Sequence, residues 1–129
     1  MSDPRKDVFW EQGLETRRAV VGDEYVDKSL ANMDDFNAGL QDFITRTAWG
    51  DIWNRPGLAR RDRSLLNIGM LIALGKQDEL KLHLRGAIRN GVTMDEISEC
   101  ILQSAIYCGA PAALEATRVA REAFADMDT

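Results

Sequence analysis

The stretch ARRDRSLLNIGMLIALGKQDELKLHLRGAIRNG, residues 59–91, decides the fold class. Its first half is apolar on nearly every face from Leu65 to Leu74, which predicts a helix buried in the centre of a bundle or in a subunit interface. Its second half carries apolar residues at three- and four-residue steps and ends at Gly91, which predicts an amphipathic helix. No segment alternates apolar and polar residues as a half-buried strand does, so the chain favours an all-α fold.

Glycine and proline separate further periodic segments along the chain. They predict helices over residues 3–22, 24–31 and 35–53. In TMDE, Thr93 and Glu96 form a capping box that starts a helix ending at Gly109, and Pro111 opens the last helix. The sequence therefore predicts one domain over residues 1–129, an all-α bundle of six to seven helices.

Composition restricts the classes of partner. The 129 residues have a net charge of −5, with 45% hydrophobic and 29% charged residues, as in soluble globular proteins. An acidic chain has no field that attracts nucleic acid or an anionic membrane, so small molecules and protein partners are expected. The longest apolar run, LLNIGMLIAL, is shorter than the ~20 residues of a membrane span, and we expect a cytoplasmic protein.

The only histidine, His83, has Glu79 four residues before it. At helical spacing His83 lies at the edge of an apolar face, and Glu79 lies one turn back on the polar side. A histidine there can reach into a cleft while the carboxylate orients its ring. The alternative is an exposed ion pair that adds only a few tenths of a kcal/mol to helix stability.

Arginines cluster at the start of the apolar helix, in RPGLARRDRS at residues 55–64. Arg60, Arg61 and Arg63 present guanidinium forks, which bind carboxylates in a bidentate manner. A small substrate with several carboxylates would suit them. The alternative is salt bridges to acidic neighbours such as Asp62.

The aromatic residues and thiols of the chain allow two interpretations each. Trp49, Trp53 and Tyr107 are candidates for the walls of a site, although aromatic residues at helical spacing usually pack in a core. Cys100 and Cys108 lie eight residues apart, which suits neither a CxxC redox pair nor a zinc site. We expect both to be reduced core thiols.

Over nearly its whole length the sequence resembles the 4-carboxymuconolactone decarboxylases, within the carboxymuconolactone decarboxylase and alkyl-hydroperoxidase-D-like superfamily. WGDIWNRPGL, at 49–58, is typical of this branch, whereas the ExxxHxxxAxxxG helix marks only the superfamily. The resemblance rests on RRAVVGDEYVD at 17–27, FITRTAWGDIWNRPGLARRDRSLLNIGMLIALG at 43–75 and ELKLHLRGAIRNGVTMDEISECILQSAIYCGAPAA at 79–113.

The resemblance implies an alkyl-hydroperoxidase-D-like bundle that assembles into a ring-like homo-oligomer, expected to be a hexamer. It implies decarboxylation of 4-carboxymuconolactone, a dicarboxylate lactone, to 3-oxoadipate enol-lactone in the β-ketoadipate pathway, without metal or organic cofactor. The peroxidase branch resembles CxxCxxxH on the histidine helix, but Lys76 and Glu79 occupy the two cysteine positions here.

On this resemblance, our hypothesis makes His83 the general acid and Glu79 its orienting partner, since an adjacent carboxylate favours the imidazolium. The roles can also be exchanged, with a buried, protonated Glu79 as the acid. Arg63, with Arg60 or Arg61, is expected to hold the substrate carboxylates. Two alternatives stay open, a thiol-dependent peroxidase and a non-catalytic oligomeric binding protein of the same superfamily.

Overall fold

A computed structural model describes residues 6–125 and residue 127, and these residues form seven α-helices and no strand. The prediction of an all-α fold with six to seven helices is confirmed. The helices are α1 (Glu11–Val21), α2 (Asp23–Ala31), α3 (Ala38–Phe43), α4 (Arg60–Leu74), α5 (Gln77–Arg89), α6 (Met94–Cys108) and α7 (Ala110–Ala125). Shorter segments are π-helical at Lys6–Trp10 and Ile44–Asp51 and 3₁₀-helical at Ile52–Asn54. None of the described helices is long and apolar enough to cross a membrane.

The chain divides into two compact units between Leu58 and Ala59. In the first unit, α1 packs against the π-helical segment Ile44–Asp51. The start predicted for the first helix, at residues 3 and 4, lies outside the described residues. The core of this unit is formed by Val20, Val21, Val26, Trp49 and Trp53, all buried.

The single helix predicted over 35–53 is wrong in detail, because this region is a short α-helix followed by π- and 3₁₀-helical turns. The side chain of Asn54 donates hydrogen bonds to the carbonyl oxygens of Trp49 and Gly50, both at 3.1 Å. These bonds satisfy carbonyl groups that a helix end leaves without partners, and they stabilise the end of the segment.

In the second unit, α5 packs against α4 and α7, and α6 packs against the same two helices. Alanines on the buried face of α7 allow its neighbours to approach closely. The Nδ2 atom of Asn90, just after α5, donates to the Oγ of Ser64 on α4 at 2.9 Å. The buried apolar residues of this core are Ile68, Ile72, Leu80, Leu84, Ala87, Val92, Ile97, Ala116, Val119, Ala120 and Ala123.

Helix α4 is buried on one face only, so it does not lie in the centre of a bundle within this chain, whereas its burial in a subunit interface stays a prediction. Ser64, Ile68 and Ile72 are buried, whereas the opposite face carries exposed residues. Helices α5, α6 and α7 all pack against α4 but cover only part of its circumference. The exposed apolar residues of α4 are Leu66 (53% exposed), Met70 (46%) and Leu74 (68%).

Candidate active site

His83 lies on the buried face of α5 and is only 8% exposed. Leu80, Leu84 and Ala87 lie on the same side of the helix and are also buried. Removal from water penalises the charged form of an imidazole, and this desolvation lowers the pKa of His83 to about 4. The ring is therefore neutral at pH 7. This outcome differs from the expectation that Glu79 makes the imidazolium the favoured form.

Glu79 lies one helical turn before His83 and is exposed. The rival assignment required a buried, protonated Glu79, and the exposed position of this carboxylate in the chain argues against it. The pair is also not the exposed ion pair of the alternative interpretation, because the histidine is enclosed. Of the two residues, His83 has the environment that is typical of a tuned acid–base group.

Arg61 forms an ion pair with Glu96 across α4 and α6. Its guanidinium also approaches the carboxylate of Asp62, with an N–O distance of 3.5 Å. Glu96 is the capping-box glutamate of α6, because Thr93 Oγ1 accepts from its backbone N–H and its own Oε1 accepts from the N–H of Thr93. The predicted capping box is thus confirmed, and Arg61 has a structural partner instead of a position open to a substrate.

The Arg61–Glu96 pair predicts a defined pH dependence of stability. Arg61 is the main cause that holds the pKa of Glu96 at about 2, below its usual 4.5, with a further contribution from Thr93. A lowered carboxyl pKa stabilises the fold above pH 4.5, and that stabilisation is lost as the pH falls from 4.5 towards 2. We expect Glu96→Gln, which keeps the capping hydrogen bond, to lower Tm at pH 7 but hardly at pH 2.

Thermal unfolding of wild type and variant from pH 7 to pH 2 measures this difference. Glu99→Gln, at an exposed glutamate on the same helix, is the control and should leave the pH profile unchanged. A Tm difference for Glu96→Gln that stayed constant down to pH 2 would contradict the prediction.

Arg63 is half-buried and Arg60 is exposed, both in the first turn of α4. The hydrogen bond between Ser64 and Asn90 places this turn beside the end of α5. Asn90 follows His83 by seven residues, about 10 Å along the helix axis, and Glu79 lies a further turn away. The structure therefore brings the arginines to one end of α5 and Glu79 to the other, with His83 between them.

The aromatic candidates divide between two environments. Trp49 and Trp53 are buried in the first unit and stack on each other, with ring centroids 5.0 Å apart. Tyr107, on α6 of the second unit, is 80% exposed. Trp49 and Trp53 thus have the core packing of the alternative interpretation, whereas Tyr107 lies at the surface.

The two cysteines are free and half-buried, and both lie on α6. Burial, with a smaller contribution from the charge of Glu96, raises the pKa of the Cys100 thiol. A raised pKa lowers the fraction of reactive thiolate. Among the described residues, no group of three or more histidine, cysteine, aspartate or glutamate side chains is placed to hold a metal ion.

A groove of about 750 Å³ lies between α4 and α6. Its walls are mainly apolar, and acidic side chains stand among them. Neither His83 nor Glu79 lines this groove, so it does not coincide with the candidate pair on α5. The lining residues are Leu65, Leu66, Gly69, Met70, Ala73, Asp95, Glu96, Glu99, Cys100, Gln103 and Ser104.

Arg17 is a buried charged residue that the sequence reasoning did not select. It lies on α1 and is 4% exposed. A signal was present in the sequence: Arg17 follows Gly13 by four residues and precedes Val20 and Val21 by three and four, so it shares their helix face. Those three neighbours are all buried, and a charge placed among them is unusual.

Comparison with known proteins gives a consistent family. A sequence model described as the carboxymuconolactone decarboxylase family matches residues 38–122. A 4-carboxymuconolactone decarboxylase of Acinetobacter baylyi is 50% identical over 118 residues, covering 92% of this chain and 88% of that protein. A nitrosuccinic acid decarboxylase of Metarhizium robertsii is 46% identical over 119 residues, covering 92% and 83%.

A further 4-carboxymuconolactone decarboxylase, from Pseudomonas putida, is 48% identical over 42 residues, covering 33% of this chain and 88% of that sequence. The named activities of these relatives differ in substrate but agree in reaction type, which is that of a carboxy-lyase. The family match over most of the chain and the identity over nine-tenths of it lead to one conclusion: the chain belongs to the carboxymuconolactone decarboxylase family, and its enzyme class is carboxy-lyase.

Proposed function

We propose that this chain decarboxylates 4-carboxymuconolactone to 3-oxoadipate enol-lactone, a step of the β-ketoadipate pathway. The observation that carries the proposal is the 50% identity to the Acinetobacter protein over 92% of the chain. The buried, neutral His83 supports the proposal, because decarboxylation is favoured by an acid–base group in surroundings that exclude water.

The two named substrates of the relatives share a chemical pattern. In each, one carbon carries a carboxylate, a CH₂–carboxylate arm and an electron-withdrawing group. That group is the unsaturated lactone in 4-carboxymuconolactone and the nitro group in nitrosuccinic acid. In both molecules the electron pair left by CO₂ flows into the withdrawing group, so the substrate provides its own electron sink. The Metarhizium relative therefore favours the same general site with a different acceptor.

The proposed reaction proceeds in two steps. The carbon–carboxylate bond breaks, CO₂ leaves, and the electron pair passes through the ring C=C into the lactone carbonyl as a dienolate. A proton then adds to the carbon next to that carbonyl, and this gives the enol-lactone. The protein must hold the remaining carboxylate, leave the departing one poorly solvated, stabilise the enolate oxygen and supply the proton.

His83 supplies that proton in our assignment. The pKa of about 4 is that of His83 in the protein without substrate. A dianionic substrate nearby raises the pKa of an imidazole. Substrate binding would therefore bring a proton to His83, which then acts as the general acid. Glu79, one turn away and exposed, is assigned a positioning role, and Arg63 is assigned to the charged groups of the substrate. Arg61 is not assigned to the substrate, because its guanidinium forms an ion pair with Glu96.

An assay on enzymatically generated 4-carboxymuconolactone, following loss of the substrate and release of CO₂, tests the function. Nitrosuccinate is the matched alternative substrate. We expect a kcat/KM for the lactone at least tenfold above that for nitrosuccinate, and the reverse order would overturn the choice of substrate. A peroxide-consumption assay with a dithiol reductant should show no turnover, and turnover there would revive the peroxidase alternative.

We also propose that the chain self-associates, in keeping with the expected hexamer. The exposed apolar face of α4, with Leu66, Met70 and Leu74, exceeds the isolated apolar residues that a monomer surface normally carries. Sedimentation velocity at micromolar concentration should show an oligomer, and Met70→Lys should shift it towards smaller species. A stable wild-type monomer under these conditions would contradict the proposal.

A further inference from the structure

Arg17 carries its charge into the interior of the first unit. The residue is 4% exposed. Its Nη1 atom donates to Oε1 of Gln41 at 3.1 Å and, less closely, to Oγ1 of Thr45 at 3.4 Å. The guanidinium carbon lies 5.8 Å from the centroid of the Tyr25 ring. One end and one face of the guanidinium are therefore occupied, and every one of these partners is neutral.

The neighbouring carboxylates pair with other arginines. Arg18, the next residue, forms salt bridges with Asp23 at 3.2 Å and Asp27 at 2.8 Å. Asp42, beside Gln41, pairs with Arg46 at 2.9 Å. Within residues 6–125 and 127, Arg17 has no salt-bridge partner, and its buried Nε atom has no hydrogen-bond partner.

Such an arrangement is costly for a group with only a structural role. An ion removed from water loses several kcal/mol of solvation, and attraction to a carboxylate normally offsets this loss. A neutral amide side chain could donate equally good hydrogen bonds to Gln41 and Thr45. The side edge of a guanidinium, formed by Nε and Nη2, is one of the edges that bind a carboxylate through two parallel hydrogen bonds. In Arg17 no described residue bonds to this edge.

We propose that Arg17 binds a carboxylate of the substrate through its Nε–Nη2 edge. The proposal rests on the proposed function and concerns a carboxylate-binding arginine of the first unit. The class of ligand is a small dicarboxylate, and the group held is the carboxylate that stays on the product. An anion at this edge would supply the countercharge that none of the described residues provides.

Three variants of the full-length protein test the proposal: Arg17→Met, Arg17→Lys and, as the matched control, Arg18→Met. Arg17→Met removes a buried charge without a carboxylate partner, so its Tm should lie within a few degrees of wild type or above it. Its KM for the lactone should rise roughly ten- to a hundredfold, as expected for loss of hydrogen bonds to a charged group. Arg17→Lys should recover part of the KM, because a point charge replaces the fork.

Succinate, an unreactive dicarboxylate, provides a readout that does not depend on turnover. Millimolar succinate should raise the Tm of wild type and of Arg18→Met, and it should leave the Tm of Arg17→Met unchanged. Arg18→Met should also keep the wild-type KM, since Arg18 is already paired with Asp23 and Asp27.

Two results would overturn the assignment. One is an Arg17→Met protein with a lowered Tm, an unchanged KM and the same rise in Tm with succinate as wild type. This result would show that Arg17 only stabilises the fold. The other, decisive if Arg17→Met does not fold, is an Arg17→Lys protein with wild-type KM and a wild-type succinate shift. If wild type does not decarboxylate the lactone, the proposed function fails, whereas the succinate comparison still decides whether Arg17 binds a carboxylate.

Discussion

His83→Gln is expected to lower kcat for decarboxylation by about 10²–10⁴-fold, the usual contribution of a general acid. Glutamine keeps much of the size and some of the hydrogen bonding of the imidazole. The fall in kcat therefore measures the loss of proton transfer and not a disruption of the core. Steady-state kinetics on protein with a wild-type circular dichroism spectrum measure the effect. Folded His83→Gln with a wild-type rate would remove His83 from the mechanism.

Glu79→Gln is the control for His83→Gln. Because Glu79 is exposed, we expect this substitution to lower kcat by less than tenfold. The two substitutions should also be non-additive, since a positioning residue has little left to do once the group that it positions is absent. Additive losses would assign Glu79 an independent role.

The pH profiles of His83→Gln and wild type should also differ in stability. Burial lowers the pKa of His83 from 6.5 to about 4, so the folded state favours the neutral ring. The stability this provides is complete above pH 6.5 and is lost as the pH falls from 6.5 through 4. Urea unfolding between pH 7 and pH 4 should therefore show a steeper decline for wild type than for His83→Gln. Parallel declines would contradict the lowered pKa.

Gly13→Ala is expected to destabilise the first unit by about 3 kcal/mol or more, which lowers Tm by roughly 10 °C or more. Gly13 lies on α1 where this helix crosses the π-helical segment. An added Cβ would overlap the carbonyl oxygen of Thr45 and lie 2.9 Å from its carbonyl carbon. Backbone atoms cannot turn aside as a flexible side chain does, so the two segments must separate.

Gly39→Ala is the matched control for this substitution. Gly39 lies on α3, and an added Cβ would have no atom within 4 Å. Alanine loses less conformational entropy than glycine in a helix, so this variant should be up to about 1 kcal/mol more stable than wild type. Differential scanning calorimetry compares the two variants. Equal Tm values for Gly13→Ala and wild type would contradict the close approach at Gly13.

The positions of the helices in the second unit were predictable from the sequence because their signals are local. The capping box at Thr93 and Glu96 is formed by residues three apart, and it is present as predicted. Glycine ended the apolar helix one residue past Leu74, as the structure confirms. The prediction was wrong where packing partners decide the backbone, as in residues 35–53, where the turns change from α to π and 3₁₀.

The candidate site was predictable in its members but not in their environments. Spacing alone placed His83 and Glu79 on one side of a helix and the arginines at the start of another, and the resemblance to a decarboxylase family suggested their chemistry. The sequence by itself therefore determined the helices of the second unit, the family and the candidate histidine, since periodicity, caps and motifs depend on residues that are close along the chain.

Only the tertiary structure decided which charges are buried and which are paired. It encloses His83 and leaves Glu79 exposed, it joins Arg61 to Glu96 across 35 residues, and it buries Arg17 among neutral partners. The free energy of a charge depends on the groups that replace its water, and segments distant in sequence supply those groups.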